Sequence, residues 1–181
     1  MEIEAIYEPY LYSIKYDGKD KNEFYLLFDA WKDITEVVEF MRTHQEFLNN
    51  PIWGDECTPE KAARKVRDEA RELARILRDL FNQTARGEKP DYDTHFQFLD
   101  GKYQVYEYIP MKSYGPGRPS FLRMYAIKLQ SNLYVITGGG IKLADTIQNS
   151  PDLKDHVIKN IDKVRAWLIQ NGVIDEQDFN E

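Results

Sequence analysis

The chain has 181 residues, of which 42% are apolar and 30% charged, and its formal net charge is −7. This length and composition predict one soluble globular domain, residues 1–181, with a sizeable core. The chain has no apolar run of the roughly 18 residues that a membrane-spanning helix needs. Its acidic N-terminus does not resemble a signal peptide. Its single cysteine, Cys57, excludes an internal disulfide and a cysteine-based zinc cluster. We therefore expect a cytoplasmic protein.

Charge is distributed unevenly along the chain. Residues 1–60 hold 5 Lys and Arg against 14 Asp and Glu, whereas residues 101–148 hold 6 against 2. Charges more than about 10 Å apart are largely screened at physiological salt, so the basic part could bind an anion although the chain as a whole is acidic. The alternative interpretation is ordinary variation in charge along a chain.

Two strands are predicted at the N-terminus. Residues 3–16 are rich in apolar side chains but are interrupted by Pro9, which is typical of an edge strand. Residues 23–31, EFYLLFDAW, follow a turn at 16–22 and favour a second strand. We expect a β-hairpin over residues 1–31 that extends a core domain of about 33–171.

Two helices are predicted after the hairpin. Asp33 offers an N-cap with Glu36 three residues later, and apolar residues follow at helical spacing. Thr58 and Pro59 then begin the clearest helix of the chain, which carries one continuous apolar stripe. Five arginines beside that stripe could grip a polyanion. Pairing with carboxylates on the same helix is the simpler interpretation. The five are Arg64, Arg67, Arg71, Arg75 and Arg78.

Four β-segments and a last helix follow. The β-segments are residues 94–99, 102–110, 120–129 and 132–139, with turns at 100–101 and 130–132 and a longer connection at 112–119. Ser150 and Pro151 predict the start of the last helix, and Gly172 predicts its end. The order ββ-αα-ββββ-α predicts an α+β fold. We expect an antiparallel sheet of four to six strands, with a helical pair and a C-terminal helix packed on one face and the other face partly open.

Three glycines and a lysine end the last strand in the segment GGGIKL at 138–143. A glycine-rich turn after a strand can cradle a phosphate. However, this segment lacks the spacing of a P-loop, and no helix begins directly behind it. The alternative is a bulge that turns the sheet toward the last helix. The three histidines are scattered over different elements, so we expect neither a metal site nor any other cofactor.

The C-terminal half resembles the RelE/HigB-type toxins of bacterial toxin–antitoxin modules. Those chains commonly show a strand ending in Tyr-Glu-x-Arg, a strand with Arg-x-x-Tyr, a short turn, and an apolar strand that leads into glycine and lysine. The resemblance covers residues 96–170. The positions that carry it are Tyr106, Glu107, Arg123, Tyr125, Ser131, Asn132, the run 138–142, Thr146, Gln148, Pro151 and Arg165.

This resemblance implies a RelE-like fold and a metal-independent endoribonuclease that cuts mRNA on the ribosome, held in check by a small antitoxin. The implied catalytic residues are Arg123 as phosphate clamp, Lys142 as second cation, and Tyr125 for base stacking or proton transfer. Tyr106, Lys128 and Gly139 are the implied RNA-binding residues. Gly139 is among them because glycine lets an RNA backbone approach closely.

Two other functions are compatible with the residues. The first is a non-catalytic module that binds a protein partner along the sheet; Arg123 and Tyr125 would then be an ordinary surface pair. The second is a small-molecule hydrolase, although the sequence shows no nucleophile–base pair that would support it.

Overall fold

The computed structural model describes residues 1–99, 108–129 and 132–180. These residues form a six-stranded mixed sheet, in the order β1-β2-β6-β5-β4-β3, and four α-helices. None of the helices in these ranges is both long and apolar enough to cross a lipid bilayer. The elements are β1 (Glu2–Tyr7), β2 (Leu11–Lys15), α1 (Glu23–Lys32), α2 (Ile34–Thr43), α3 (Pro59–Asn82), β3 (Phe96–Phe98), β4 (Ile109–Tyr114), β5 (Leu122–Lys128), β6 (Tyr134–Ile141) and α4 (Val157–Gln170).

The segment 23–31 is a helix, so the prediction of a strand there was wrong. The side chain of Asn22 accepts a hydrogen bond from Tyr25 N at 3.2 Å and caps the first turn of α1. Apolar side chains spaced three and four residues apart then form one buried stripe, which is helical periodicity. They are Phe24, Leu27, Phe28 and Trp31. The N-terminal hairpin does exist, but β1 and β2 form it within residues 2–15.

The starts of the two central helices agree with the sequence. Asp33 accepts hydrogen bonds from the backbone of Thr35 and Glu36 at 3.2 Å, and Thr58 Oγ1 accepts one from Lys61 N at 3.3 Å. The last helix starts later than predicted. Residues 151–156 form turns, and regular helix begins at Val157.

The sheet is antiparallel except where β2 runs parallel to β6. The prediction of an antiparallel sheet was therefore correct for the other neighbouring strands and wrong for this pair. Parallel neighbours need a long crossover, and residues 16–133 provide one. Through this pair, the N-terminal hairpin joins the main sheet directly.

Helices cover both faces of the sheet, and not one face as predicted. Helices α1–α3 pack on the face that carries Met124, Ala126 and Ile136. The C-terminal helix α4 packs on the opposite face, against Ile127 and Val135. All of β6 is buried as the result. Helix α4 does not cover the far end of this second face, and the candidate site lies there.

Candidate nucleic-acid interface

Strands β4 and β5 place two pairs of polar side chains side by side. Tyr114 is the register partner of Arg123, and Lys112 is the partner of Tyr125. Residues two apart on a strand share a face, and register partners share it as well. All four side chains therefore lie on the α4 face of the sheet.

Three cations surround the ring of Tyr114. The guanidinium carbon of Arg123 lies 4.1 Å from the ring centroid and that of Arg118 lies 4.3 Å from it. The ammonium of Lys112 is 5.9 Å away. Such distances are typical of cation–π contacts, which hold positive groups together without neutralising them.

The guanidinium of Arg123 is hydrogen-bonded to other described residues on one side only. Its Nη1 donates to the carbonyl oxygens of Ser120 and Leu122, at 2.9 and 2.6 Å. Among the described residues, neither Nε nor Nη2 has a hydrogen-bond partner. These two atoms form the edge of a guanidinium that binds phosphate or carboxylate with two parallel hydrogen bonds. Burial lowers the pKa of Arg123, but an arginine stays positively charged in proteins.

Lys142 joins the same group of charges. Its backbone N–H donates to Phe121 O at 2.7 Å, which fixes the chain just after β6, and its Nζ donates to Asp145 O at 2.6 Å. Burial lowers the pKa of Lys142, and repulsion from Arg123 and Lys112 lowers it further. Lys142 is therefore close enough to Arg123 and Lys112 for their charges to repel its own.

Arg118, Arg123 and Lys142 line one cleft of about 420 Å³, which we call the cationic cleft. None of these three residues, nor Lys112, has a carboxylate oxygen within 4.0 Å in the part of the chain that the structure describes. The apolar part of the wall includes Ile52, Trp53, Pro119 and Leu143. The cleft thus combines unneutralised positive charge with an apolar surface.

The loop at 115–120, which carries Arg118, is fastened by one hydroxyl. Ser120 Oγ accepts hydrogen bonds from Gly115 N and Leu122 N, both at 3.1 Å, and donates to the carboxylate of Glu69 at 2.9 Å. The loop is thereby closed at its base and anchored to α3. Arg118 Nη2 donates to Gln97 Oε1 at 3.1 Å, which draws the tip of the loop toward β3.

Of the predicted catalytic residues, the structure brings Arg123 and Lys142 together but places Tyr125 elsewhere. Tyr125 is only 1% exposed and packs with Leu153, Val157 and Ile161 around the start of α4. Burial raises its pKa. Its side chain does not line the cationic cleft.

Lys128 lies at the other end of β5 and on the opposite face from Arg123. Its ammonium contacts both carboxylate oxygens of Asp93, at 2.7 and 2.8 Å, so its charge is neutralised. Asp93 also accepts a short hydrogen bond from Tyr134. Lys128 therefore belongs to a structural cluster with Asp93 and Tyr134, and not to the group of cations around Tyr114.

Gly139 is buried between β5 and α1. A Cβ at this position would lie far inside van der Waals distance of the Arg123 carbonyl oxygen and 3.0 Å from Leu27. A shift in strand register comes just before the glycines, where Ala126 pairs with Ile136 and Tyr125 with Gly138. Close strand packing and this bulge account for glycine here. Tyr106, the remaining predicted RNA contact, lies outside the described residues, and RNA binding by Gly139, Lys128 and Tyr106 stays a prediction.

Lys112, Tyr114 and Arg118 were not predicted as site residues, because the sequence of residues 112–119 predicted a connecting loop. The structure continues β4 as far as Tyr114. The alternation of Lys112, Ser113 and Tyr114 was the available sign, since Lys112 and Tyr114 then share a face with Arg123 across the strand pair.

Comparisons of this chain with protein-family models, with curated proteins and with solved structures find no match. The relationship to RelE/HigB-type toxins therefore stays a prediction.

Proposed function

We propose that the cationic cleft binds the phosphate groups of RNA, and that the protein is a toxin-like, metal-independent endoribonuclease acting on mRNA in the cytoplasm. The observation that carries this proposal is the group of cations around Tyr114, which lack carboxylate partners among the described residues of an acidic chain. Groups of like charge repel one another, and an anionic ligand relieves that repulsion.

In the proposed reaction, the 2′-oxygen of a ribose attacks the adjacent phosphorus and the bond from phosphorus to the 5′-oxygen breaks. The 2′-hydroxyl proton passes to water, and the hydroxyl of Tyr114 donates a proton to the departing 5′-oxygen. The products are a 2′,3′-cyclic phosphate and a 5′-hydroxyl end. Nε and Nη2 of Arg123 would hold two non-bridging oxygens, and Lys142 would offset the charge that grows in the transition state. Tyr114 replaces Tyr125 in this role because it lines the cleft.

The proposal is tested by expressing the wild-type chain and Arg123→Ala in bacteria and following growth and the integrity of translated mRNA. We expect the wild type to arrest growth and cut mRNA, and Arg123→Ala to do neither. Arg78→Ala is the matched control, because it removes an exposed arginine of α3 that does not line the cleft. If none of the three chains arrests growth or cuts mRNA, the nuclease is refuted; if all three do so equally, the role of Arg123 is refuted.

Binding is tested separately with purified protein and a labelled single-stranded RNA. Four phosphate contacts give a slope of log K against log salt concentration of about −3, since each contact to a single strand contributes about −0.7. Replacing the attacking 2′-hydroxyl by hydrogen should leave binding nearly intact and abolish cleavage. A flat salt response would contradict phosphate binding.

A second candidate function uses the same residues without chemistry. The free edge of Arg123 accepts a carboxylate as well as a phosphate, and Ile52, which is 53% exposed, adds an apolar contact at the mouth of the cleft. A small acidic antitoxin would fit these features, either as inhibitor of the nuclease or as sole partner of a binding module. Tight binding of such a protein by a chain that neither binds nor cuts RNA would favour the binding module.

A further inference from the structure

A second concave surface adjoins the cationic cleft. It measures about 730 Å³, lies between α3 and the loop at 115–120, and shares Arg118 and Pro119 with the cleft. Its other positive residues come from the beginning of α3: Lys61, Arg64 and Lys65. Lys61 comes three residues before Arg64 and four before Lys65, so the three side chains project on one side of the helix.

Three of the four arginines farther along α3 are paired with carboxylates of the same helix. Arg67 and Arg71 contact Asp68 at 3.2 and 3.8 Å, and Arg75 contacts Glu72 and Asp79 at 2.5 and 2.6 Å. The predicted pairing of arginines with carboxylates on this helix is therefore confirmed for these three. A polyanion would gain little from side chains whose charges are already matched.

The cations at the start of α3 are different. Within the described ranges, neither Lys61 nor Arg64 has a carboxylate oxygen within 4.0 Å. Lys65 is 3.9 Å from Glu69 and lies 5.7 Å from the rings of both Trp53 and Phe121.

Three carboxylates also line this surface, and each of them already has a described partner. Asp68 accepts a hydrogen bond from Arg67, and Glu72 accepts one from Arg75. Glu69 is buried and accepts its hydrogen bonds from Ser120 and Phe121. The positive charge of Lys61 and Arg64 is therefore available to a ligand.

We propose that a single strand of RNA whose phosphate occupies the cationic cleft continues over the loop at 115–120 and onto the first two turns of α3. Arg118 stands where the strand crosses, because it lines both surfaces. This inference rests on the proposed function, since it extends the same bound strand. It assigns Lys61 and Arg64 to phosphates several nucleotides away from the one held by Arg123, and it predicts a ligand longer than the cleft alone would hold.

The test measures how affinity depends on the length of the RNA. Fluorescence anisotropy would follow binding of uridine oligonucleotides of about three and about twelve nucleotides. We expect Arg64→Ala to weaken the long oligonucleotide about tenfold and to leave the short one unchanged, and Lys61→Ala to do the same. Arg123→Ala should weaken both. For Arg64→Ala the salt slope of the long oligonucleotide should become shallower by about 0.7, the share of one phosphate contact.

Arg78→Ala is the matched control, because it removes the same charge from an exposed site on the same helix, 14 residues after Arg64 and so about 21 Å along the axis. If Arg64→Ala and Lys61→Ala behave like Arg78→Ala while Arg123→Ala still weakens binding, the path over α3 is wrong and the proposed function stands. If the wild type binds neither oligonucleotide, both are wrong. Thermal unfolding of each variant verifies that it is folded.

Discussion

The carboxylate of Glu69 on α3 accepts a hydrogen bond from the hydroxyl of Ser120 at 2.9 Å, although 51 residues separate the two in sequence. The same oxygen accepts a second bond from Phe121 N at 3.1 Å. The carbonyl oxygen of Ser120 accepts a hydrogen bond from Nη1 of Arg123. Ser120 therefore connects the buried carboxylate of Glu69 to Arg123, the candidate phosphate clamp. Glu69 is therefore a positioning residue for the cationic cleft.

Glu69→Ala should destabilise the protein and weaken RNA binding together. The change leaves the donors of Ser120 and Phe121 without their acceptor in a buried place, which costs about 1–3 kcal/mol. Urea unfolding gives the free energy, and anisotropy gives the RNA affinity. Glu72→Ala, three residues along α3 on a half-exposed site, should change stability far less. Equal stability losses in the two variants would contradict the anchoring role.

Glu69 should also make stability depend on pH. Burial is the larger influence and raises the pKa of Glu69 above its ordinary value of 4.5, although Ser120 and Lys65 oppose it. The folded protein then holds this proton to a higher pH than the unfolded chain, so the free energy of unfolding falls as pH rises between the two values. Glu69→Gln lacks this titration.

As pH rises from about 4, wild type should therefore lose stability relative to Glu69→Gln. The difference in unfolding free energy should become constant above the raised pKa of Glu69. Urea unfolding at a series of pH values measures it. A shift in the opposite direction would mean that the hydrogen bonds to Glu69 outweigh its burial.

Gly139→Ala should be strongly destabilising. The new methyl group would collide with the backbone carbonyl of Arg123, and backbone yields only if β5 and β6 separate. Overpacking of this kind costs at least about 1–3 kcal/mol. Gly117→Ala is the matched control, because nothing lies within 4 Å of its added Cβ. Thermal unfolding should show a clear drop for the first variant and little change for the second; similar melting temperatures would contradict the packing.

Lys128→Ala should leave RNA affinity within about twofold of wild type, a change below about 0.5 kcal/mol. Its ammonium is matched by Asp93 on the opposite face of the sheet from Arg123, so it has little charge to offer a phosphate. Lys112→Ala removes the same charge beside Tyr114 and should weaken binding clearly. The reverse order of the two effects would move the RNA site to the other face.

Much of the helical part of the fold could be predicted from local sequence, because caps are local. Asp33 and Thr58 act where the sequence places them. The strand predicted at 23–31 was wrong because a run of apolar and aromatic residues fits a strand and a helix alike, and the deciding cap at Asn22 was assigned to the turn before it. The parallel pairing of β2 with β6 depends on residues more than 100 positions apart, which no local pattern records.

The candidate site could be predicted only in part, for a related reason. Arg123 and Lys142 flank the ends of β5 and β6, and the predicted hairpin already brings them near each other. Tyr125 has the right strand parity, but α4 covers its position, and the sequence does not show which part of a face a distant helix will bury. Tyr114 was missed because glycines and prolines follow it closely and made its strand resemble a loop.

The position of β6 has a consequence for how the protein is made. This strand lies between β2 and β5 in the sheet, yet it is the last of the six to leave the ribosome. Until residue 141 has been synthesised, the first hairpin and the β4–β5 pair have no shared neighbour, and each exposes an edge to the cell. Translation that stops short of this strand yields two half-sheets without the strand that joins them, so the central sheet cannot form before β6 has been made.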